Sequence, residues 1–348
     1  MRLAPPHPTL EACASAFPER RVGREESTRV LQALFPHEDP GFVADLVERS
    51  GIEERRVVRE PEEVLSPSDF TERNRRYREE ALALATRAAR AALEAAAVGP
   101  AEVDAILDVS CTGVSLPALD VGLVPALGLG AGVRRIPITE SGCAAGALAL
   151  GTAAQLAQAG LTVLVVAVEL ASLTFCHDDP SRTNLVASAL FGDGAAAAVV
   201  RPGGRGPRFL ATGSHLLPGT VDLMGFDVGS HGLRILLRRE LPFVLVRHLE
   251  PVLRAFLEEH DRRLAEVDVH LVHPGGRRIL DAYEELFRLA PDDLTHSRSS
   301  LASYGNLSSV SILTVLERWL GGGRGEALLC GIGPGLSIEL SLLGPPTP

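Results

Sequence analysis

The sequence contains no lysine: all 34 basic residues of the 348 are arginine. That absence excludes three chemistries together: a Schiff-base lysine, a lysine-bound pyridoxal phosphate and the lysine of a phosphate-binding P-loop. Aromatic residues make up only 4% of the chain, so its interior must be built from aliphatic side chains, alanine and glycine. The five cysteines, Cys13, Cys111, Cys143, Cys176 and Cys330, are odd in number, and no two have C-x-x-C spacing. Neither a disulfide framework nor a zinc site is expected from them, and no metal is expected elsewhere. No run of about 18 apolar residues occurs, so no membrane span is expected. The N-terminal MRLAPPHPTL lacks the apolar stretch of a signal peptide, and a cytoplasmic protein is the default expectation. Acidic residues exceed basic ones, giving a net charge of −10. Nucleic acid, which needs a basic face, is therefore not an expected partner. An anionic ligand would need a local basic patch set against the global sign.

What is present is an aliphatic α/β pattern. Hydrophobic residues form 46% of the chain, and its length suits one large α/β unit or two fused halves. Short β-branched apolar runs predict buried strands at 103–109, 162–168, 195–200, 267–273, 326–330 and 336–343. Ala/Leu-rich helical patterns lie between them at 78–97, 144–159, 245–260 and 277–289. Such alternation argues for a layered α/β fold. The strongest breaker is RPGGRGPR at 201–208, which predicts a seam between an N-terminal half, 1–205, and a C-terminal half, 206–348.

Three residues stand out chemically. Cys143 lies in SGCAAG, directly before a helical pattern. A helix N-terminus favours thiolate through its dipole and its unpaired N–H groups, although a buried structural cysteine at a tight turn fits the same segment. His273 ends an apolar run and enters HPGG. There it either faces a crevice or is a satisfied core histidine. Asn306, in YGNLSS, opens another helical pattern, where the ordinary role of Asn is the N-cap.

The segments SGCAAG, FGDGAAA (residues 191–197), HPGG, YGNLSS and GIGPG, in that order, resemble the type III polyketide synthases, the chalcone synthase-like branch of the thiolase fold. FTERNRRY (residues 70–77) resembles bacterial members. The resemblance implies two similar strand–helix halves in an α-β-α-β-α layering. The Cys would come from the first half and the His and Asn from the second. It implies a catalytic triad of Cys143, His273 and Asn306, with CoA thioesters as substrates and no cofactor. The Cys143 thiolate, paired with a His273 imidazolium, would take a starter from an acyl-CoA. Decarboxylation of malonyl-CoA would then supply the enolate that extends it, and cyclisation would give a pyrone, a resorcinol or a related product.

The resemblance also implies a substrate pocket. Phe191 matches one of two gatekeeper phenylalanines, while the position of the second holds Ile235. Phe226 stands where plant members have a cavity glycine. Thr174 matches a cavity threonine, and Ala171 and Cys111 replace two others. Ser308, in YGNLSS, belongs to the same pocket. These departures favour an aliphatic acyl starter. Leu116, before Pro117, matches a residue that the family projects into the partner's cavity, which implies a homodimer and a cis Leu116–Pro117 bond. Arg49 matches a family lysine that contacts CoA, whereas the arginines of residues 73–78 read as solvated helix surface. A ketoacyl-acyl carrier protein synthase III shares the triad logic, but HPGG and GIGPG count against it. A catalytically silent acyl-CoA-binding homologue is the third reading.

Overall fold

The computed structural model describes residues 1–229, 232–290 and 292–346. Every residue of strand Val163–Leu170 (VLVVAVEL) is buried. A run covered on both faces belongs inside a layered sheet. It pairs in parallel with Ala105–Val109, which pairs in parallel with the edge strand Arg134–Ile138. On its other side lie Asp193–Pro202 and then Pro8–Ala16, both antiparallel. A second set repeats this pattern without the outer strand. Val269–Val272 is parallel to Ala327–Gly333, and Ser337–Gly344 and Arg208–Leu216 follow antiparallel. The two sets meet through one register pair, Thr9 with Arg208, just after the Gly/Pro-rich stretch.

Two helices, Ala145–Gln158 and Val310–Leu320, lie between the sets and pack on strands of both. Helix Phe70–Ala95 covers the outer face of the first set. Leu241–Glu259 and Arg277–Phe287 cover the second, through Leu249, Leu253, Leu280 and Tyr283. The result is the α-β-α-β-α layering expected from the sequence. The central helix AGALALGTAAQLAQ is built for tight approach. A Cβ on Gly146 would fall 2.1 Å from the Ser309 carbonyl oxygen and 2.8 Å from Ile312. Gly146→Ala should therefore destabilise the fold by about 1–3 kcal/mol. The measure is the urea midpoint at constant m-value; an unchanged midpoint would contradict this packing.

Several elements differ from the sequence expectation. Strands Pro8–Ala16, Arg134–Ile138 and Arg208–Leu216 were not foreseen, because PTLEACASA, RRIPI and RFLATGSHL carry no continuous β-branched run. The first helix of the outer layer begins at Phe70, not at Arg78. Its 73–78 segment is not wholly solvated, since Arg73 and Tyr77 are buried. One helical turn apart, they share the face turned onto neighbouring loops. Arg73 Nε donates to the Leu173 carbonyl at 3.0 Å, and Tyr77 Oη to Ser110 Oγ at 2.7 Å.

Candidate active site

Cys143 sits on a tight turn, Gly142–Ala144, that runs into the central helix Ala145–Gln158. Gly142 has φ +54°, and a Cβ there would lie 2.7 Å from the Pro334 ring. The GIGPG loop of the second half thus closes directly on the cysteine turn, which only glycine permits. The Cys143 thiol lies 3.6 Å from Ser308 Oγ, and the Cys111 thiol lies 3.5 Å from the same hydroxyl.

Ser308 has φ +50°, in the left-handed region that non-glycine residues rarely adopt. Its N–H donates to Asn306 Oδ1 at 2.8 Å, and that oxygen also accepts from Ser311 Oγ at 3.4 Å. Asn306 Nδ2 donates to the Gly275 carbonyl at 3.2 Å. The Asn306 backbone joins Leu190 and Gly192 on either side of Phe191, at 2.9 and 3.0 Å. Asn306 is therefore no N-cap; that position of helix Val310–Leu320 belongs to Ser309. His273 follows strand Val269–Val272, and its N–H donates to the Cys330 carbonyl at 2.9 Å. The ring is 2% exposed, and a Cβ on Gly275 would sit 3.5 Å from its Nε2. Its Nδ1 is buried without a partner among the described residues. One chain of contacts thus runs from His273 through Gly275, Asn306 and Ser308 to Cys143.

Burial governs the charges in this cluster. It pushes the Cys143 thiol up to about 11, against the hydrogen bond to Ser308, and the His273 imidazole down to about 4. The sequence expectation that the helix start favours thiolate is thus outweighed by desolvation in the isolated site. A group the sequence reading missed lies close by. Glu169, fully buried near the end of Val163–Leu170, accepts hydrogen bonds from Thr112 Oγ1 at 2.7 Å, Ser309 Oγ at 2.5 Å and the Cys111 N–H at 3.1 Å. Burial raises its pKa. A lone carboxylate in an otherwise apolar strand was the signal that could have found it.

A cavity of about 340 Å³ opens beside Cys143. Phe191, Ile235, Phe226, Thr174, Cys111 and Ser308 all line it, together with Ala171. Ile235 and Phe226 face each other directly across the hairpin Met224–Gly229/Gly232–Leu237. An aromatic ring is therefore lost on one strand and present on the other of a single cross-strand pair. His273 and Asn306 are buried behind this wall and do not line it. Leu116 lies outside it and is 97% exposed, after which the bond to Pro117 is cis. Arg49 also lies outside, on the exposed face of helix Pro40–Arg49, where it pairs with Asp45 at 2.8 Å. The sequence reading missed an apolar annexe walled by Val22, Val30, Leu31, Leu34, Val57 and Val64, because no motif marks it. It also missed two buried arginines in the same wall, Arg55 and Arg59. Arg55 donates to the Phe191 carbonyl at 2.9 Å and to Ser27 Oγ at 3.0 Å, which holds the Phe191 segment in place.

A cysteine beside a largely apolar cavity, with a buried imidazole and amide linked to it, offers the groups that acyl transfer and condensation require. Comparison with known proteins agrees. Residues 56–204 match the chalcone and stilbene synthase N-terminal domain, and residues 209–344 the C-terminal domain. The 1,3,6,8-tetrahydroxynaphthalene synthase of Streptomyces coelicolor is 34% identical over 342 residues, covering 96% of this chain and 91% of that protein. The phloroglucinol synthase of Pseudomonas fluorescens is 30% identical over 335 residues, covering 94% of this chain and 96% of that one. The crystal structure of the Streptomyces coelicolor A3(2) tetrahydroxynaphthalene synthase superposes with a TM-score of 0.94, at 34% identity, over 98% of this chain and all of that one. The chain belongs to the chalcone and stilbene synthase family: it is a type III polyketide synthase of thiolase-like fold, an acyltransferase that condenses malonyl-CoA with decarboxylation. Among the described residues no helix is long and apolar enough to cross a membrane.

Proposed function

We propose that Cys143 carries an aliphatic acyl starter, that His273 and Asn306 handle the malonyl unit, and that the product is a pyrone, resorcinol or related ring. In this reading the division 1–205 and 206–348 separates the nucleophile from its two partners. Cys143 passes its proton to His273 as its sulfur attacks the starter thioester, and the CoA thiol leaves. Neither group bears a lone charge cheaply in this dry site, but opposite charges formed together stabilise each other. The malonyl carboxylate departs as CO₂, and its bonding electrons form an enolate. His273 and the Asn306 amide donate hydrogen bonds to the enolate oxygen, each worth about 3–4 kcal/mol in the transition state. The enolate carbon attacks the Cys143-bound carbonyl, the C–S bond breaks, and the chain returns to CoA two carbons longer.

The observation that carries the aliphatic reading is the group of Val22, Val30, Leu31, Leu34, Val57 and Val64, aliphatic side chains that line the same cavity as Cys143 beside Arg55 and Arg59. Ile235 supports it by removing one aromatic partner from the gate. The exposed Leu116 beside Val114 and Val121, and the open edge strand Arg134–Ile138, support a homodimer closed over that loop. Arg49 is held to be a CoA phosphate contact, its pairing with Asp45 being an exposed one that a phosphate can displace.

A panel of acyl-CoA starters with malonyl-CoA, read by mass spectrometry, tests this. Straight-chain aliphatic starters should exceed aromatic ones of similar length in kcat/KM by about tenfold or more. One starter-independent product from malonyl-CoA alone would overturn the aliphatic assignment. Turnover that required malonyl-carrier protein and stopped after one condensation would favour the ketoacyl synthase alternative.

A further inference from the structure

Arg59, in the cavity wall, is a cation that the described residues leave partly unused. Arg59 is 5% exposed. Only its Nη2 is engaged, donating to the Glu63 carbonyl at 2.8 Å, the Ser66 carbonyl at 3.3 Å and Ser68 Oγ at 3.1 Å. Its Nε and Nη1 make no hydrogen bond, and no carboxylate pairs with it among the described residues. The nearest candidate, the Glu63 carboxylate, is taken by Arg76 Nη1 at 2.7 Å and by the Glu60 N–H at 3.2 Å. Arg55, in the same wall, contrasts with it, because both of its Nη atoms are held by protein oxygens. Arg59 stands among Val57, Pro61 and Val64, which line the cavity on either side of it in sequence. The free Nε and Nη1 of a guanidinium in a largely apolar cavity wall offer donors to an acceptor that enters the cavity. Burial and the nearby Arg73 push its pKa down to about 10, which leaves it charged at neutral pH.

We propose that Arg59 is a specificity-determining residue that receives the free carboxylate of an acyl chain attached at its other end to Cys143. The substrate class is an aliphatic CoA thioester whose far end is a carboxylate, the monothioester of a dicarboxylic acid. The apolar side chains take the methylenes, and the free Nη1 donates a charge-assisted hydrogen bond to a carboxylate oxygen. A CoA phosphate is the competing anion. It is common to every acyl-CoA, so it predicts equal losses for all starters and not a change of preference.

The inference rests on the synthase reading of the same cavity, and the test separates the two. The full chain is assayed with malonyl-CoA as extender and with adipyl-CoA or hexanoyl-CoA as starter, two chains of equal length. The unaltered protein should prefer adipyl-CoA in kcat/KM by about tenfold or more. Arg59→Leu should shift that ratio about 10- to 100-fold towards hexanoyl-CoA. Arg59→Lys, which keeps the charge but not the position of the donors, should retain part of the preference. Equal use of both starters by the unaltered protein, or equal losses for both in Arg59→Leu, would overturn the proposal. A second measurement needs neither a variant nor turnover: hexanoate, whose carboxylate can reach Arg59, should protect Cys143 from iodoacetamide at lower concentration than the neutral hexanamide of equal length does. Equal protection counts against Arg59. Absence of CO₂ release with every starter would sink the roles given to Cys143, His273 and Asn306, while the protection measurement would still decide Arg59.

Discussion

Cys143→Ala abolishes chain extension, by about 10⁴-fold or more, while CO₂ release from malonyl-CoA continues within about tenfold of the original rate. The two halves of this expectation rest on different atoms. Extension needs a sulfur to hold the starter, and the cavity beside Cys143 is where an acyl chain can lie. Decarboxylation needs only donors for the enolate oxygen, a role the proposed function gives to His273 and Asn306 of the second half of the chain. Asn306 is held by the Gly275 carbonyl, the Ser308 N–H, Leu190 and Gly192, bonds that remain when the sulfur is removed. Radiolabelled malonyl-CoA gives the CO₂, and mass spectrometry of the products gives the extension. Extension surviving in the variant would move the nucleophile to Cys111, whose thiol shares the Ser308 hydroxyl. Simultaneous loss of CO₂ release would show that the thiol takes part in decarboxylation as well.

His273→Ala should move the pH profile of Cys143 alkylation far upward. Burial, outweighing the Ser308 hydrogen bond, holds this thiol at about 11, where a simple titration leaves roughly one part in 10⁴ as thiolate at pH 7. The unaltered protein escapes that limit if His273 accepts the proton, because imidazolium and thiolate then offset each other's desolvation. Iodoacetamide should therefore react readily at neutral pH with the unaltered chain. In His273→Ala its rate should climb about tenfold per pH unit towards about 11. Superimposable profiles would remove His273 from the activation of Cys143. The direction is set by the sign of each shift. The thiol is raised and the imidazole lowered by the same burial, so both favour the neutral pair until the proton moves between them.

The legible part of the site was the part carried by short segments. SGCAAG, HPGG and YGNLSS each place one reactive side chain beside small residues, and the structure joins all three through Gly275 and Ser308. Phe191, Ile235, Phe226, Thr174, Cys111 and Ser308 line one cavity, while Leu116 lies outside it. Glu169 was less legible, since its strand reads as core and its partners Thr112 and Ser309 lie 57 and 140 residues away. Arg59 could not be read at all. Within VVREPEEV it looks like a surface arginine beside glutamates, and only the folded chain turns Glu63 towards Arg76 and leaves Arg59 in the cavity wall.

By itself the sequence determined the layered α/β class and the order of the elements that carry chemistry. Aliphatic runs can form only buried strands and helices, and glycine-flanked motifs survive as local geometry. The absence of lysine likewise settled which covalent chemistries are closed to this chain. Only the tertiary structure decided which edges pair, how the second strand set repeats the first, and what surrounds each charged group. Those are long-range facts. A strand such as RRIPI is made by its neighbours, and the state of a thiol or a guanidinium depends on how much water and how many partners the whole fold leaves it.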